Sequence, residues 1–307
     1  MSLEGIHHIS AITGNAPANV EFYVGVLGLR LVKKTVNQDD PTVYHLFYGD
    51  ERGRPGSELT FFEYLGAGSG RAGAGMVHRI VWRVASAEAI GFWKNRLTER
   101  GIATETVGGR LRFLDPEGLA HELAISAVDD EPLAGGAPDV PREMALQGFD
   151  GVRAYSRDPA RSEALLNALG FSGGEDGAWE VRGDERGSLF TYDPAPEERP
   201  RQGAGSVHHI AFNTGSEDQD EWRRRLIEAG AWPTPVIDRF YFRSVYFREP
   251  SGVLFELASG GPGFTADEEA EHLGERLSLP PDFEPLRETI EPALRSLPDP
   301  RSRADRA

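Results

Sequence analysis

Short apolar segments recur four times along the chain, and each of them begins with a glycine. They are GIHHISAIT (5–13), GMVHRIVWRV (75–84), GFDGVRAYS (148–156) and GSVHHIAFNT (205–214). Each is rich in Val, Ile and aromatic residues over eight or nine positions, which is typical of a largely buried strand. The pattern therefore predicts four related strands.

An amphipathic helix is expected after each of these strands, because apolar residues recur there at spacings of three and four. The predicted helices cover residues 17–29, 87–101, 159–171 and 218–230, and each ends at or next to a glycine. Short strands with Gly- and Pro-containing turns follow, as in 108–126 and 238–259. The sequence thus predicts a strand–helix–strand–strand–strand unit, βαβββ, four times over.

The repeats also divide the chain. We expect a first pair of units in 1–128, a linker in 129–147, a second pair in 148–262, and a short C-terminal helix followed by a loose tail in 263–307. This fourfold βαβββ pattern resembles the vicinal-oxygen-chelate superfamily, which includes glyoxalase I, bleomycin-resistance proteins and extradiol dioxygenases. The resemblance implies an α+β fold in which the units pair into two cupped, half-open barrels.

The composition of the chain limits which partners and which metal ligands we expect. The net charge of −16 argues against nucleic-acid and anionic-membrane partners, which need a basic surface. The chain has no cysteine, so any metal ion must be held by His nitrogen and carboxylate oxygen atoms. No apolar run approaches about 18 residues and no signal peptide is visible, so we expect a cytoplasmic protein.

Comparison of the repeats identifies candidate metal ligands. The residues that share one position of the first strand are His8, Arg79, Gly151 and His209. In the last strands, Glu122 and Glu256 match. Buried polar side chains need partners, and two imidazoles with one carboxylate find one in a metal ion.

The predicted set is therefore His8, His209 and Glu256, a two-histidine, one-carboxylate triad that suits Fe(II) with open positions for substrate and O₂. Mn(II) or Zn(II) could occupy the same site in a purified sample. Because Arg79 and Gly151 are not ligands, we expect one functional cup, which pairs the first unit with the fourth, and one degenerate cup.

Further segments extend the resemblance, including VKKT (32–35), YHLFYGDERGRPGSELTFF (44–62), DRFYFRSVYFREPSGVLFE (238–256) and GFTADEEAEHLGERL (263–277). With them, the chain resembles ring-cleavage dioxygenases that act on para-hydroquinones and their relatives in quinone resistance. The likeness implies the same three iron ligands. It also implies that His7, His208, Arg239 and Tyr246 serve catalysis and that Ser10 contacts substrate.

Strand alternation conflicts with part of this assignment, because His7 and His208 would face away from His8 and His209. They reach the site only if their strands twist or bulge. No role is assigned to His45.

Two other functions stay open: a glyoxalase-like metal-dependent lyase or isomerase, and a non-catalytic protein that binds small aromatic molecules. The leading hypothesis is an Fe(II)-dependent, extradiol-type dioxygenase acting on a hydroquinone- or catechol-like ring with O₂. We also expect a homo-oligomer, a dimer or larger.

Overall fold

The structure of the chain, a computed structural model, describes residues 1–215 and 219–298. Four units of similar order follow one another, as the repeats predict. The first contains β1 (Ile6–Thr13), α1 (Ala16–Val20), β2 (Arg30–Asn37), β3 (Asp40–Gly49) and β4 (Glu58–Glu63). The second contains β5 (Met76–Val84), α2 (Ala87–Glu99), β6 (Thr104–Val107), β7 (Arg110–Leu114) and β8 (Ala120–Ile125).

The second half repeats this order. The third unit contains β9 (Phe149–Ser156), α3 (Glu163–Ala168), β10 (Ser172–Gly173), β11 (Ala178–Arg182) and β12 (Gly187–Pro194). The fourth contains β13 (Ser206–Asn213), α4 (Gln219–Glu228), β14 (Ile237–Asp238), β15 (Arg243–Arg248) and β16 (Leu254–Ala258). The helix predicted over 218–230 is α4, and its first predicted residue, Asp218, lies outside the described residues.

Local sequence explains where the helices begin and end. The Ser86 hydroxyl accepts a hydrogen bond from the Ala89 amide and caps α2, and Gly101 follows that helix with a φ of +73°, where a side chain would be strained. A π-helical turn, Glu21–Val26, extends α1, and a 3₁₀ turn, Pro159–Ser162, precedes α3.

The strands form two eight-stranded sheets, each of which combines one unit from each half of the chain. The first sheet has the order β14-β15-β16-β13-β1-β4-β3-β2, and the second has the order β10-β11-β12-β9-β5-β8-β7-β6. The first and fourth units are therefore joined through β1 and β13, and the second and third through β5 and β9. The predicted α+β class and the fourfold repeat are confirmed.

Beyond residue 262, where we expected a short helix and a loose tail, the chain packs against the first unit through contacts that extend to Arg295. Three 3₁₀ turns (Phe264–Ala266, Ala270–His272 and Glu284–Leu286) are followed by α5 (Arg287–Ile290) and a 3₁₀ turn (Glu291–Ala293). The Ser278 amide donates to the Lys34 carbonyl, and the Tyr44 hydroxyl donates to the Arg295 carbonyl. The rest of the expected tail, 299–307, lies outside the described residues.

Among the described residues, no helix combines the length and the apolar character that crossing a membrane requires.

Candidate active site

Three neighbouring strands near the middle of the first sheet carry the predicted ligands. His8 lies on β1, His209 on β13 and Glu256 on β16, and these strands are adjacent in the sheet. All three side chains are buried. Side chains alternate along each strand, and the strand pairing places these three side chains on one face of the sheet. His209 lies 201 residues after His8 and 47 residues before Glu256.

The three donor atoms converge. His8 Nε2 lies 3.2 Å from His209 Nε2 and 3.2 Å from Glu256 Oε2, and His209 Nε2 lies 2.9 Å from Glu256 Oε2. Atoms at these separations can be adjacent ligands of one ion at metal–ligand distances of about 2.0–2.2 Å. The sequence-predicted triad is therefore brought together.

The environment of Glu256 tests whether these residues suit a metal ion. Its Oε2 atom is buried and accepts no hydrogen bond of acceptable geometry from the residues that the structure describes. Burial alone would raise the pKa of Glu256, but His8 and His209 hold it well below its ordinary value. An ionised, buried carboxylate oxygen without a donor, facing two imidazole nitrogens, fits a divalent cation.

The other oxygen of the Glu256 carboxylate is held by a hydrogen bond from the neighbouring strand. The Ser244 hydroxyl on β15 donates to Glu256 Oε1 at 2.5 Å. This hydrogen bond leaves Oε2 as the atom that faces the two histidines, which is how outer contacts orient metal ligands.

Another group of potential ligands, formed by His7, His8 and Glu58, lies behind the triad. His7 Nδ1 lies 3.1 Å from His8 Nδ1 and 3.6 Å from Glu58 Oε2. Burial raises the pKa of Glu58 well above its ordinary value, which favours the neutral form of this carboxyl. A neutral carboxylic acid is a poor cation ligand, and we therefore favour the triad that includes Glu256.

Both expected departures from strand alternation occur, and they occur at the two neighbouring histidines. In the pairing of β1 with β13, the register shifts once between Ile6 and His8 and once between Ser10 and Ala11. The residues left without a pairing partner are His7 on β1 and His208 on β13. Such bulges redirect side chains next to active sites.

The two bulged histidines have different surroundings. His208 lines a cavity of about 300 Å³ in front of the triad, and its Nδ1 lies 2.8 Å from His209 Nδ1. His7 is not part of the cavity lining. Its ring packs against Phe242 with the ring centroids 5.3 Å apart. Sequence reasoning grouped the two residues, and the structure separates them.

The other predicted residues, Ser10, Arg239 and Tyr246, line this cavity together with His8 and His209. The Ser10 hydroxyl lies 2.7 Å from the Thr60 hydroxyl. The Arg239 guanidinium lies 5.6 Å from the centre of the Tyr246 ring and pairs with the exposed Asp39 at 3.2 Å. Burial raises the pKa of the Tyr246 hydroxyl, with the Glu256 charge acting in the same direction, so this hydroxyl stays protonated.

His45 is a cavity residue to which the sequence analysis assigned no role. It comes from β3, with its ring between Phe47 and Phe62 at centroid distances of 4.1 Å on either side. Its Nε2 lies 3.0 Å from the Thr60 hydroxyl, and its Nδ1 has no partner among the described residues. The pairing of Thr60 with Ser10 links His45 to β1, which a single-strand pattern could not reveal.

The matching position of the second sheet differs, as the repeats indicated. Glu122 is buried there and, among the described residues, belongs to no group of candidate metal ligands; Arg79 Nη1 lies 3.3 Å from its carboxylate. The prediction that only one of the two sheets carries the His–His–Glu set therefore agrees with the described residues.

A family profile for the "Glyoxalase/Bleomycin resistance protein/Dioxygenase superfamily" matches residues 5–123 and 155–257. Among curated proteins, the chain is 41% identical over 300 residues to MhqO of Bacillus subtilis (strain 168), which is provisionally named a ring-cleaving dioxygenase. That match covers 94% of this chain and 95% of MhqO. The chain is also 34% identical to the chlorohydroquinone/hydroquinone 1,2-dioxygenase of Sphingobium indicum, and the match covers 97% of each.

Solved structures give the same picture of the fold. The crystal structure of a provisionally assigned dioxygenase from Bacillus subtilis is 39% identical and superposes with a TM-score of 0.89, covering 97% of this chain and 98% of that one. Glyoxalase I from Zea mays is 15% identical with a TM-score of 0.58, covering 83% and 92%, and shows a shared fold alone.

Proposed function

Because the chain belongs to the glyoxalase/bleomycin resistance protein/dioxygenase superfamily, we propose that it is a ring-cleaving dioxygenase that acts on a para-hydroquinone with O₂. The relatives confirm the sequence-based prediction of an oxygenase enzyme. One observation carries the finer proposal: two imidazole nitrogens and a buried carboxylate oxygen converge at a cavity lined by aromatic residues.

In this proposal His8, His209 and Glu256 hold Fe(II), with Mn(II) or Zn(II) as ions that a purified sample could contain. Bound iron would supply the redox chemistry that couples O₂ to the ring, which zinc lacks. Relatives that act on hydroquinones support the choice of substrate class, and a cavity of about 300 Å³ suits a ligand of one ring.

Arg239 and Tyr246 would hold the reacting side of the ring. The guanidinium places a fixed positive charge in the cavity wall, where it stabilises the negative charge of an ionised ring hydroxyl. The protonated Tyr246 hydroxyl can donate a hydrogen bond to the same oxygen.

His208 is the proposed proton acceptor. Burial lowers its pKa to about 4, with His209 and Arg248 acting in the same direction, so the imidazole is neutral at pH 7. A neutral imidazole in the cavity wall can take the proton that a hydroquinone hydroxyl loses.

His7 is proposed as a positioning residue, because it contacts the back of His8 and not the cavity. Ser10, paired with Thr60, would contact the substrate from β1.

Metal content and O₂ uptake in one preparation test the proposal. Protein loaded with Fe(II) under anaerobic conditions should bind about one iron per chain and consume O₂ on addition of a hydroquinone. Glu256→Gln should lose both properties. The matched control Glu63→Gln, on β4, should keep them, because Glu63 pairs with Arg295 and the Ala16 amide instead.

The same preparations separate the alternatives. Iron bound without O₂ consumption for any diphenol would favour a binding protein. Activity that is retained when zinc replaces iron would favour a lyase or isomerase. Small aromatic substrate and O₂ are thus the proposed partners, and assembly into a dimer or larger stays a prediction.

A further inference from the structure

The second sheet repeats the strand pairing of the first, but it has arginines at the position of one candidate metal ligand, His209, and at two positions next to the carboxylate. Glu256 pairs across the strands with Tyr246, and Glu122 pairs in the same way with Arg112. The strand pairings also place Arg110 of the second sheet at the position of Ser244 in the first, and Arg79 at the position of His209. Gly151 takes the position of His8.

Three guanidiniums surround one carboxylate at this place. Arg110 Nη1 and Arg112 Nε donate to Glu122 at 2.8 and 2.7 Å, and Arg79 Nη1 donates at 3.3 Å. Each guanidinium uses one nitrogen on Glu122, although it carries five N–H groups. Among the described residues the side chains of these three arginines make no other hydrogen bond, and the Nε of Arg79 is buried without a partner.

Positive charge is in excess here. A fourth arginine, Arg153, is paired with Asp193, which also binds His78. Four arginines thus face Glu122 and Asp193, and the charge of Arg110 also acts on the nearby Asp150, in a chain whose net charge is −16. Burial lowers the pKa of Arg79, with the charges of Arg112 and Arg153 acting in the same direction and those of Glu122 and Asp193 acting against them.

Solvent reaches this cluster. The side chains of Arg79, Arg110 and Arg112 are 21%, 41% and 29% exposed, whereas Glu122 is buried beneath them. Neutralising one carboxylate requires one cation, which leaves two positive charges and several unused N–H groups on these partly exposed side chains. Guanidinium forks match the paired oxygens of carboxylate and phosphate groups.

We propose that Arg79, Arg110 and Arg112 form a binding site for a small oxyanion, the carboxylate or phosphate group of a metabolite. This site would lie in the second sheet at the position that matches the proposed metal centre of the first. The site is separate from the proposed dioxygenase centre, so the failure of either proposal leaves the other standing.

Calorimetric titration of the full-length protein at low ionic strength tests this site, with inorganic phosphate in one arm and succinate in the other. We expect saturable binding that weakens as salt is added. The stronger arm identifies the source of the oxyanion. Arg110→Gln should weaken binding about tenfold, because it removes one charged donor. The proposed metal centre lies on the other sheet and should be unaffected by that change.

A second substitution, which removes negative charge instead of positive charge, is expected to strengthen anion binding. Glu122→Gln removes the carboxylate that competes for the same donors, so the anion should bind more tightly and should raise the melting temperature more than in the parent protein. Arg224→Gln, on the exposed face of α4, is the matched control and should leave affinity unchanged.

The proposal is overturned if the parent protein shows no saturable heat with either anion at about 10 mM, well above a millimolar dissociation constant. It is also overturned if Arg110→Gln binds as the parent does. If Glu122→Gln is too unstable to titrate, the dependence of its melting temperature on phosphate concentration tests the proposal instead. A purely structural cluster would give no rise in melting temperature with phosphate.

Discussion

At the scale of single residues, the cavity depends on a histidine that comes from outside the three strands that carry the candidate metal ligands. His45 lies between two phenylalanine rings, and its Nδ1 has no hydrogen-bond partner among the residues that the structure describes. Its pKa is lowered well below the ordinary value, chiefly by burial, so the ring is neutral and can donate or accept one hydrogen bond. A para-hydroquinone has a second hydroxyl that needs such a partner when it is buried.

Replacing His45 with Phe should therefore raise the KM for hydroquinone about tenfold, the equivalent of one hydrogen bond, while iron content stays unchanged. Phe fits between Phe47 and Phe62, so the fold should persist. Steady-state O₂ uptake measures the effect, with His272→Gln on the surface as the control. An unchanged KM would assign the second hydroxyl to another group.

At the scale of elements, a buried lysine fixes the C-terminal segment to β2. Lys33 is fully buried, contacts Asp267 Oδ1 at 2.7 Å and forms an ion pair with Glu268. Asp267 also accepts a hydrogen bond at 2.9 Å from the hydroxyl of Tyr241, which lines the cavity. The segment beyond residue 262 thus supports one wall of the site.

Lys33→Met should destabilise the protein by about 3–5 kcal/mol, because it leaves a buried carboxylate without its partner. It should also raise the KM for substrate at temperatures where the variant is folded. Lys34→Met is the matched control, since its ammonium group is exposed and donates to a carbonyl, and should change stability by less than about 1 kcal/mol. Thermal unfolding and kinetics measure both. Equal stability of the two variants would contradict this account.

At the scale of the whole molecule, one carboxylate links the linker to both units of the second sheet. Asp130 accepts hydrogen bonds from Arg83 on β5 at 2.5 Å, from Arg182 on β11 at 2.7 Å and from the Gly187 amide at 3.2 Å. Burial alone would raise its pKa, but the two arginines lower it to about 2, against an ordinary value of 3.8.

Because the pKa is lower in the folded state, this carboxylate stabilises the fold fully above pH 3.8 and progressively less as the pH falls towards 2. Asp130→Asn should cost about 2 kcal/mol at pH 7. Its difference from the parent protein should shrink below pH 4. Urea unfolding between pH 7 and 3 measures this, with the exposed neighbour Asp129→Asn as the control. A difference that grows on acidification would refute the assignment.

The sequence predicted the features that depend on repetition. Residues in matched positions, such as His8 and His209, lie at matched places in paired strands, and a period of two fixes which of them share a face. It could not place His45 or Lys33, because their partners come from other strands or from more than 230 residues away. The bulges at His7 and His208 depend on how β1 and β13 pair, and the sequence of one strand alone does not specify that pairing.

The interleaving of the units has a consequence for the integrity of the protein. His8 belongs to the first half of the chain, and His209 and Glu256 belong to the second, so a cut within 129–147 would divide both sheets and distribute the donor atoms over two fragments. Neither fragment alone could assemble the complete ion-binding set. Chemistry at this centre therefore requires that both halves fold together, and a half-finished chain leaving the ribosome would be inert.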